Sequence, residues 1–87
     1  MTLTRAELNL EIKRLIIDEC QKNIAPEAIG DDDFLFGPLA PLALDSLDAL
    51  QLAMALQKRF GVRLVDSKET RRVMASVASL AAYIESR

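Results

Sequence analysis

The sequence predicts an all-α domain: a bundle of three longer helices and one short one, with a long loop between the first helix and the second. Three observations lead there. Apolar residues make up 51% of the 87 residues while aromatics are 5% and Trp is absent, so the core must be built from Leu, Ile, Val, Ala and Met. Apolar side chains recur at helical spacing in separate segments, each opened by a capping signal. All three prolines (Pro26, Pro38, Pro41) and two of the three glycines (Gly30, Gly37) fall in one stretch, residues 24–44, which marks that stretch as loop.

The first helix is expected from Thr4 to about Asn23. Thr4 and Glu7 have the capping-box spacing, and Leu8, Ile12, Leu15, Ile16 and Cys20 share one face. Glu11, Lys13, Arg14 and Asp18 supply the solvated face. In the loop, Ile29, Phe34, Leu35, Phe36, Leu39, Leu42 and Leu44 are positioned to tie the chain down, because an unstructured connection of about twenty residues is long for so small a domain.

The second helix should run from Ser46 to Phe60, with Asp45 or Ser46 as its cap and Gly61 as its left-handed stop. Ala49, Leu52, Ala53, Leu56 and Phe60 form one stripe, and Leu47, Leu50 and Met54 form another, rotated away from the first. Such a helix is either central and packed on two sides or presents an apolar patch to a partner. Asp66 and Glu69 have the spacing of a capping box for a short helix through Arg72. Ser76 then precedes Val77, Leu80, Ala81 and Ile84 in a final helix.

Composition narrows the chemistry. There is no His, which removes the commonest general base and transition-metal ligand, and Cys20 is the single cysteine, so neither a disulfide nor a cysteine-pair metal site is expected. With one domain spanning 1–87, the chain has no room for an enzyme's substrate cleft, and no metal site is assigned. No apolar run approaches the roughly 20 residues of a spanning helix, and the opening residues lack a secretory pattern, so the expected location is cytoplasmic. Net charge is −2, without the basic footprint of a nucleic-acid binder. The charge is uneven: residues 1–44 hold eight acids and four bases, and residues 45–87 hold five acids and seven bases. The run Asp31, Asp32 and Asp33 reads as a solvated loop or turn cap in preference to a weak divalent-cation site, and Cys20 as a small core residue.

The segment Leu44-Asp45-Ser46-Leu47-Asp48-Ala49-Leu50 resembles the phosphopantetheine attachment motif of acyl carrier proteins, in which Asp-Ser-Leu opens the second helix. The triplet is weak alone. Its setting makes it specific: an amphipathic first helix, a loop studded with apolar residues, Phe60-Gly61-Val62 after the second helix, and the run Ser76 to Ile84, so that the likeness extends from about Thr4 to Ile84.

The resemblance implies a discrete, monomeric carrier that holds acyl groups as thioesters on a 4'-phosphopantetheine arm taken from coenzyme A and attached at Ser46, flanked by Asp45 and Leu47. Partners would be a phosphopantetheinyl transferase, an acyltransferase or acyl ligase, a ketosynthase, and reductive and dehydrating enzymes, meeting Leu47, Asp48, Leu50 and Met54. Independently of the family, a phosphodiester at a helix N-terminus sits where unpaired N–H groups and the helix dipole favour an anion. The chain departs from carriers of primary fatty-acid synthesis in having Gln51, Gln57, Lys58 and Arg59 in place of several glutamates. It also adds Lys68, Arg71 and Arg72, has Ala43 where glycine is common, and carries what looks like a small insertion, Gly37 to Pro41. These departures direct the reading to a specialised fatty-acid-like or polyketide pathway. A peptidyl or aminoacyl carrier is the near alternative, and an unmodified helical module that docks a partner through Leu47, Leu50 and Met54 is the alternative from another class.

Overall fold

The computed structural model describes residues 3–64 and 67–86. Among the described residues, four α-helices, α1 (Arg5–Glu19), α2 (Ser46–Phe60), α3 (Ser67–Val73) and α4 (Val77–Glu85), are joined by loops, with a 3-10 turn at Pro26–Ala28. The sequence-predicted bundle of three longer helices and one short one is observed.

Local chemistry explains the helix ends. Thr4 Oγ1 accepts from the Glu7 N–H at 3.1 Å and Glu7 Oε1 accepts from the Thr4 N–H at 2.9 Å, the reciprocal capping box. Ser76 and Ser79 make the equivalent pair at the start of α4. The expected box at Asp66 lies outside the described residues. The first helix stops at Glu19, short of the expected Asn23. Cys20 takes the C-cap, Gln21 turns into the left-handed region at φ 52°, and the Lys22 N–H reaches back to the Ile17 carbonyl at 3.0 Å. That is a Schellman ending built on glutamine, and it carries no sequence signal because the usual glycine is missing.

The core is one cluster. Ile12, Ile16, Leu52, Leu56, Val77 and Leu80 are fully excluded from solvent, and α1 packs against both α2 and α4, while α3 packs on α4. At roughly 1.5–3 kcal/mol for each large aliphatic side chain buried, this seam dominates the stabilisation of the domain. Arg5 pairs with Glu85 across α1 and α4, and Arg59 pairs with Glu11 across α2 and α1 at 2.6 Å. Both pairs are solvent-accessible, so they set register more than they add stability.

The long loop is held down as its apolar residues imply, with corrections of detail. Ile29, Leu35, Leu42 and Leu44 are buried, whereas Phe34 and Leu39 are exposed, Leu39 almost completely. Leu44 N–H donates to the Leu35 carbonyl at 3.0 Å, and Leu35 N–H donates to Ala75 at 3.1 Å. A one-bridge clasp between Phe36 and Leu44 closes off the lobe of Gly37 to Pro41. These bonds bring the end of α3 beside the start of α2.

Among the described residues no cluster of acids, Cys or His is placed to hold a metal ion, and no helix is long and apolar enough to cross a membrane. Within the acidic run, Asp31 pairs with Lys13 Nζ at 2.7 Å, and Asp33 accepts from the Gly30 N–H at 2.9 Å as a turn cap.

Candidate functional site

The start of α2 is organised by two aspartates. Asp45 is the N-cap: its Oδ1 accepts from the Asp48 N–H at 3.0 Å, and Asp48 Oδ2 accepts from the Asp45 N–H at 3.1 Å. That backbone hydrogen bond from Asp48 holds the Asp45 carboxyl below its ordinary range, so Asp45 keeps its charge at neutral pH. Lys22, from the segment after α1, reaches Asp48 at 3.7 Å. Asp48 is therefore turned inward, with its carboxylate engaged in the chain. The sequence left the cap open between Asp45 and Ser46, and the geometry gives it to Asp45.

Ser46 is thereby released from structural duty. It occupies the first helical position, is exposed, and stands where the N–H groups of the first turn have no intrahelical partner. Down the helix, Leu47, Leu50 and Met54 are 61%, 58% and 64% exposed, while Leu52 and Leu56 are completely buried. The two stripes read from the sequence are thus divided between core and surface. Ala49 and Ala53, read as part of the inner stripe, are only half-buried.

Sequence reasoning missed what those two alanines border. A cavity of about 700 Å³ opens between α2 and α3, walled by Phe36, Leu44, Ala49, Ala53 and Met74, with Ser46, Leu50 and Arg71 among its other lining residues. This is within the size range of small-molecule pockets, roughly 300–1,000 Å³. The missed signal was a pair of small residues, Ala49 and Ala53, on the α2 face that turns to α3.

Cys20 plays no part in this site. It is buried, donates weakly to the Asp48 carbonyl at 3.9 Å, and burial pushes its thiol up to about 11, which leaves it protonated and unreactive at neutral pH.

An exposed serine at a helix start, beside an Asp cap and an apolar cavity, is a fitting place for a phosphodiester-linked arm. Residues 10–84 match the family described as phosphopantetheine attachment site. The chain belongs to the acyl carrier protein family. It is 31% identical over 75 residues to an acyl carrier protein of Campylobacter hominis, covering 86% of each chain. It is 29% identical, again over 75 residues, to the acyl carrier proteins of Wolinella succinogenes and Campylobacter fetus subsp. fetus, covering 86% of this chain and 90% and 88% of theirs. Membership brings with it a covalent 4'-phosphopantetheine, and with it the need for partner enzymes that load and use a carrier.

Proposed function

We propose that Ser46 is the attachment point of the 4'-phosphopantetheine arm, and that the chain, one domain and not itself a catalyst, delivers acyl groups within a specialised fatty-acid-like or polyketide pathway in the cytoplasm. The observation that carries this reading is the division of labour at the start of α2: Asp45 caps the helix and leaves the Ser46 hydroxyl exposed to a transferase. When attached, the arm supplies a terminal thiol on which acyl groups are held as thioesters. The protein's own contribution is positional, through a helix N-terminus that favours the phosphate and an apolar stripe at Leu47, Leu50 and Met54 beside it.

Intact mass after incubation with a phosphopantetheinyl transferase and coenzyme A is the test. The wild type should gain one arm and Ser46→Ala none. Because Asp45 holds the cap, Ser46→Ala should melt close to the wild type. A wild type that gains no mass beside a working control carrier would leave the unmodified interaction module as the reading.

Partner choice follows from charge. Asp45 keeps the first turn of α2 negative, but Lys58, Arg63, Arg71 and Arg72 are exposed further along, and enzymes built for a uniformly acidic helix are repelled there. Arg59 contributes less, being paired with Glu11. The transferase, which needs mainly the start of the helix, should therefore work well, while ketosynthases of primary fatty-acid synthesis should use the loaded protein poorly. Lys58→Glu with Arg72→Glu should raise their turnover several-fold at low salt, where screening is weak. Wild-type turnover equal to that of an ordinary acidic carrier would contradict this reading of the surface.

A further inference from the structure

The cavity beside Ser46 has apolar walls and, among the described residues, one charged lining residue, Arg71. Leu44 and Met74 form a floor that is almost wholly buried, with Phe36, Ala49 and Ala53 around it. Arg71 stands on α3, one helical turn back from Ala75, whose carbonyl anchors the loop beside the start of α2. The residue lines the cavity and is exposed, and a long side chain with an apolar stem and a charged head suits such a rim.

Four cations are paired with carboxylates, Arg5 with Glu85, Lys13 with Asp31, Lys22 with Asp48 and Arg59 with Glu11, and none of them lines this cavity. Among the described residues Arg71 has no such carboxylate, and the space beside it is a cavity of ligand size. A guanidinium at the mouth of an apolar pocket offers a planar, two-pronged site for a carboxylate. It does so without requiring that charge to leave water completely, which would be costly.

We propose that Arg71 makes this cavity selective for acyl groups that end in a carboxylate, the aliphatic part of the chain lying against Ala49, Ala53 and Met74 and the terminal carboxylate returning to Arg71 at the opening. The inference rests on attachment at Ser46 and names the class of cargo that the site would favour. The arm's own phosphodiester is the other anion within the same chemistry, and the experiment separates the two.

The transferase is used to load the full chain with three arms: pantetheine bearing no acyl group, octanoyl-pantetheine, and the eight-carbon chain ending in a carboxylate. Intact mass first establishes single loading at Ser46, and failure at that step refutes the attachment reading itself. On the loaded proteins the rate of thioester cleavage by hydroxylamine is measured, together with the amide and guanidinium NMR signals of Arg71. The carboxylate-ended chain should be cleaved roughly two- to five-fold more slowly than the octanoyl chain, the factor expected of one solvent-accessible ion pair. Arg71→Gln should abolish that difference while leaving octanoyl cleavage unchanged, and Arg71→Lys should restore part of it. Equal protection of the two chains in the wild type, or a preference that survives Arg71→Gln, would overturn the proposal. So would an Arg71 signal that moves fully on attaching the unacylated arm and no further with the carboxylate, since the phosphodiester would then be the anion bound.

Discussion

The two flanks of α2 follow different rules. Toward α1 it is closed: Leu52 and Leu56 meet Ile12 and Ile16 with no solvent access, and Arg59 and Glu11 tie the helices at the surface. Toward α3 it is open, because alanines replace large side chains at positions 49 and 53 and a cavity takes the place of a seam. One helix can therefore act as a structural pillar along one face and present the exposed Ser46, an apolar stripe and a pocket along the other. The difference teaches that the side chains and the pocket free for a carrier's work are those the core does not use.

The largest effect that would break the comparison is in the closed seam. Leu56→Ala should lower stability by about 2–5 kcal/mol in denaturant unfolding, as a fully buried leucine leaves a void. Leu50→Ala, on the open flank, should cost under about 1 kcal/mol and instead impair transfer to partner enzymes. Equal, large losses for both would show that the open flank is structural too.

A smaller contrast comes from two left-handed residues at the ends of this region. Gly61 ends α2 at φ 70°, and Ala43 precedes the motif at φ 48°. A side chain in this conformation costs roughly 1–2 kcal/mol. Gly61→Ala should therefore destabilise by about 1 kcal/mol, whereas Ala43→Gly should stabilise by less than that, since glycine also gains freedom in the unfolded chain. Thermal melts of the two variants should move in opposite directions; if Ala43→Gly lowers the melting temperature, the loop conformation before Asp45 differs from the one described.

Much of this was legible before the fold was known, for reasons that are local. The capping box at Thr4, and Gly61 as the stop of α2, depend on residues three or four apart, so spacing alone reveals them, whereas the cap of α2 stays open between Asp45 and Ser46 until the structure gives it to Asp45. The separation of Leu47, Leu50 and Met54 from the inner stripe was legible as well, because two apolar stripes on one helix cannot both face the same neighbour, but whether the second stripe met another helix or solvent was decided only by the fold. The rest depended on contacts distant in sequence. Lys22 reaching Asp48 and Arg59 reaching Glu11 required the helices to be placed. The Phe36 to Leu44 clasp and the 3-10 turn at Pro26–Ala28 are loop structure without periodicity. The cavity is an effect of two small residues facing across to α3, and a pair of alanines reads in sequence as ordinary helix.

The smallest effect concerns Asp45, and it links the cap to the arm. Its carboxyl is held low chiefly by the Asp48 N–H, so the folded state binds this proton more weakly than the unfolded chain, where an aspartate titrates near about 3.9. The sign follows: this contribution to stability is present above that value and is lost as pH falls through the lower folded one. Asp45→Asn, which keeps an accepting oxygen for the cap, should leave neutral stability nearly unchanged and flatten the acid limb of the stability curve. A phosphodiester on Ser46 would place a negative charge beside Asp45, and like charge disfavours the ionised carboxyl. Attachment of the arm should therefore raise the Asp45 value toward the ordinary range, in an NMR titration that compares the chain before and after modification, with Glu7 at the distant cap of α1 as the internal control. Glu7 is also held low, by the Thr4 backbone N–H, and it should not move. If Asp45 and Glu7 respond alike, the arm's charge does not lie at the start of α2, and the open flank would have to be sought elsewhere on the molecule.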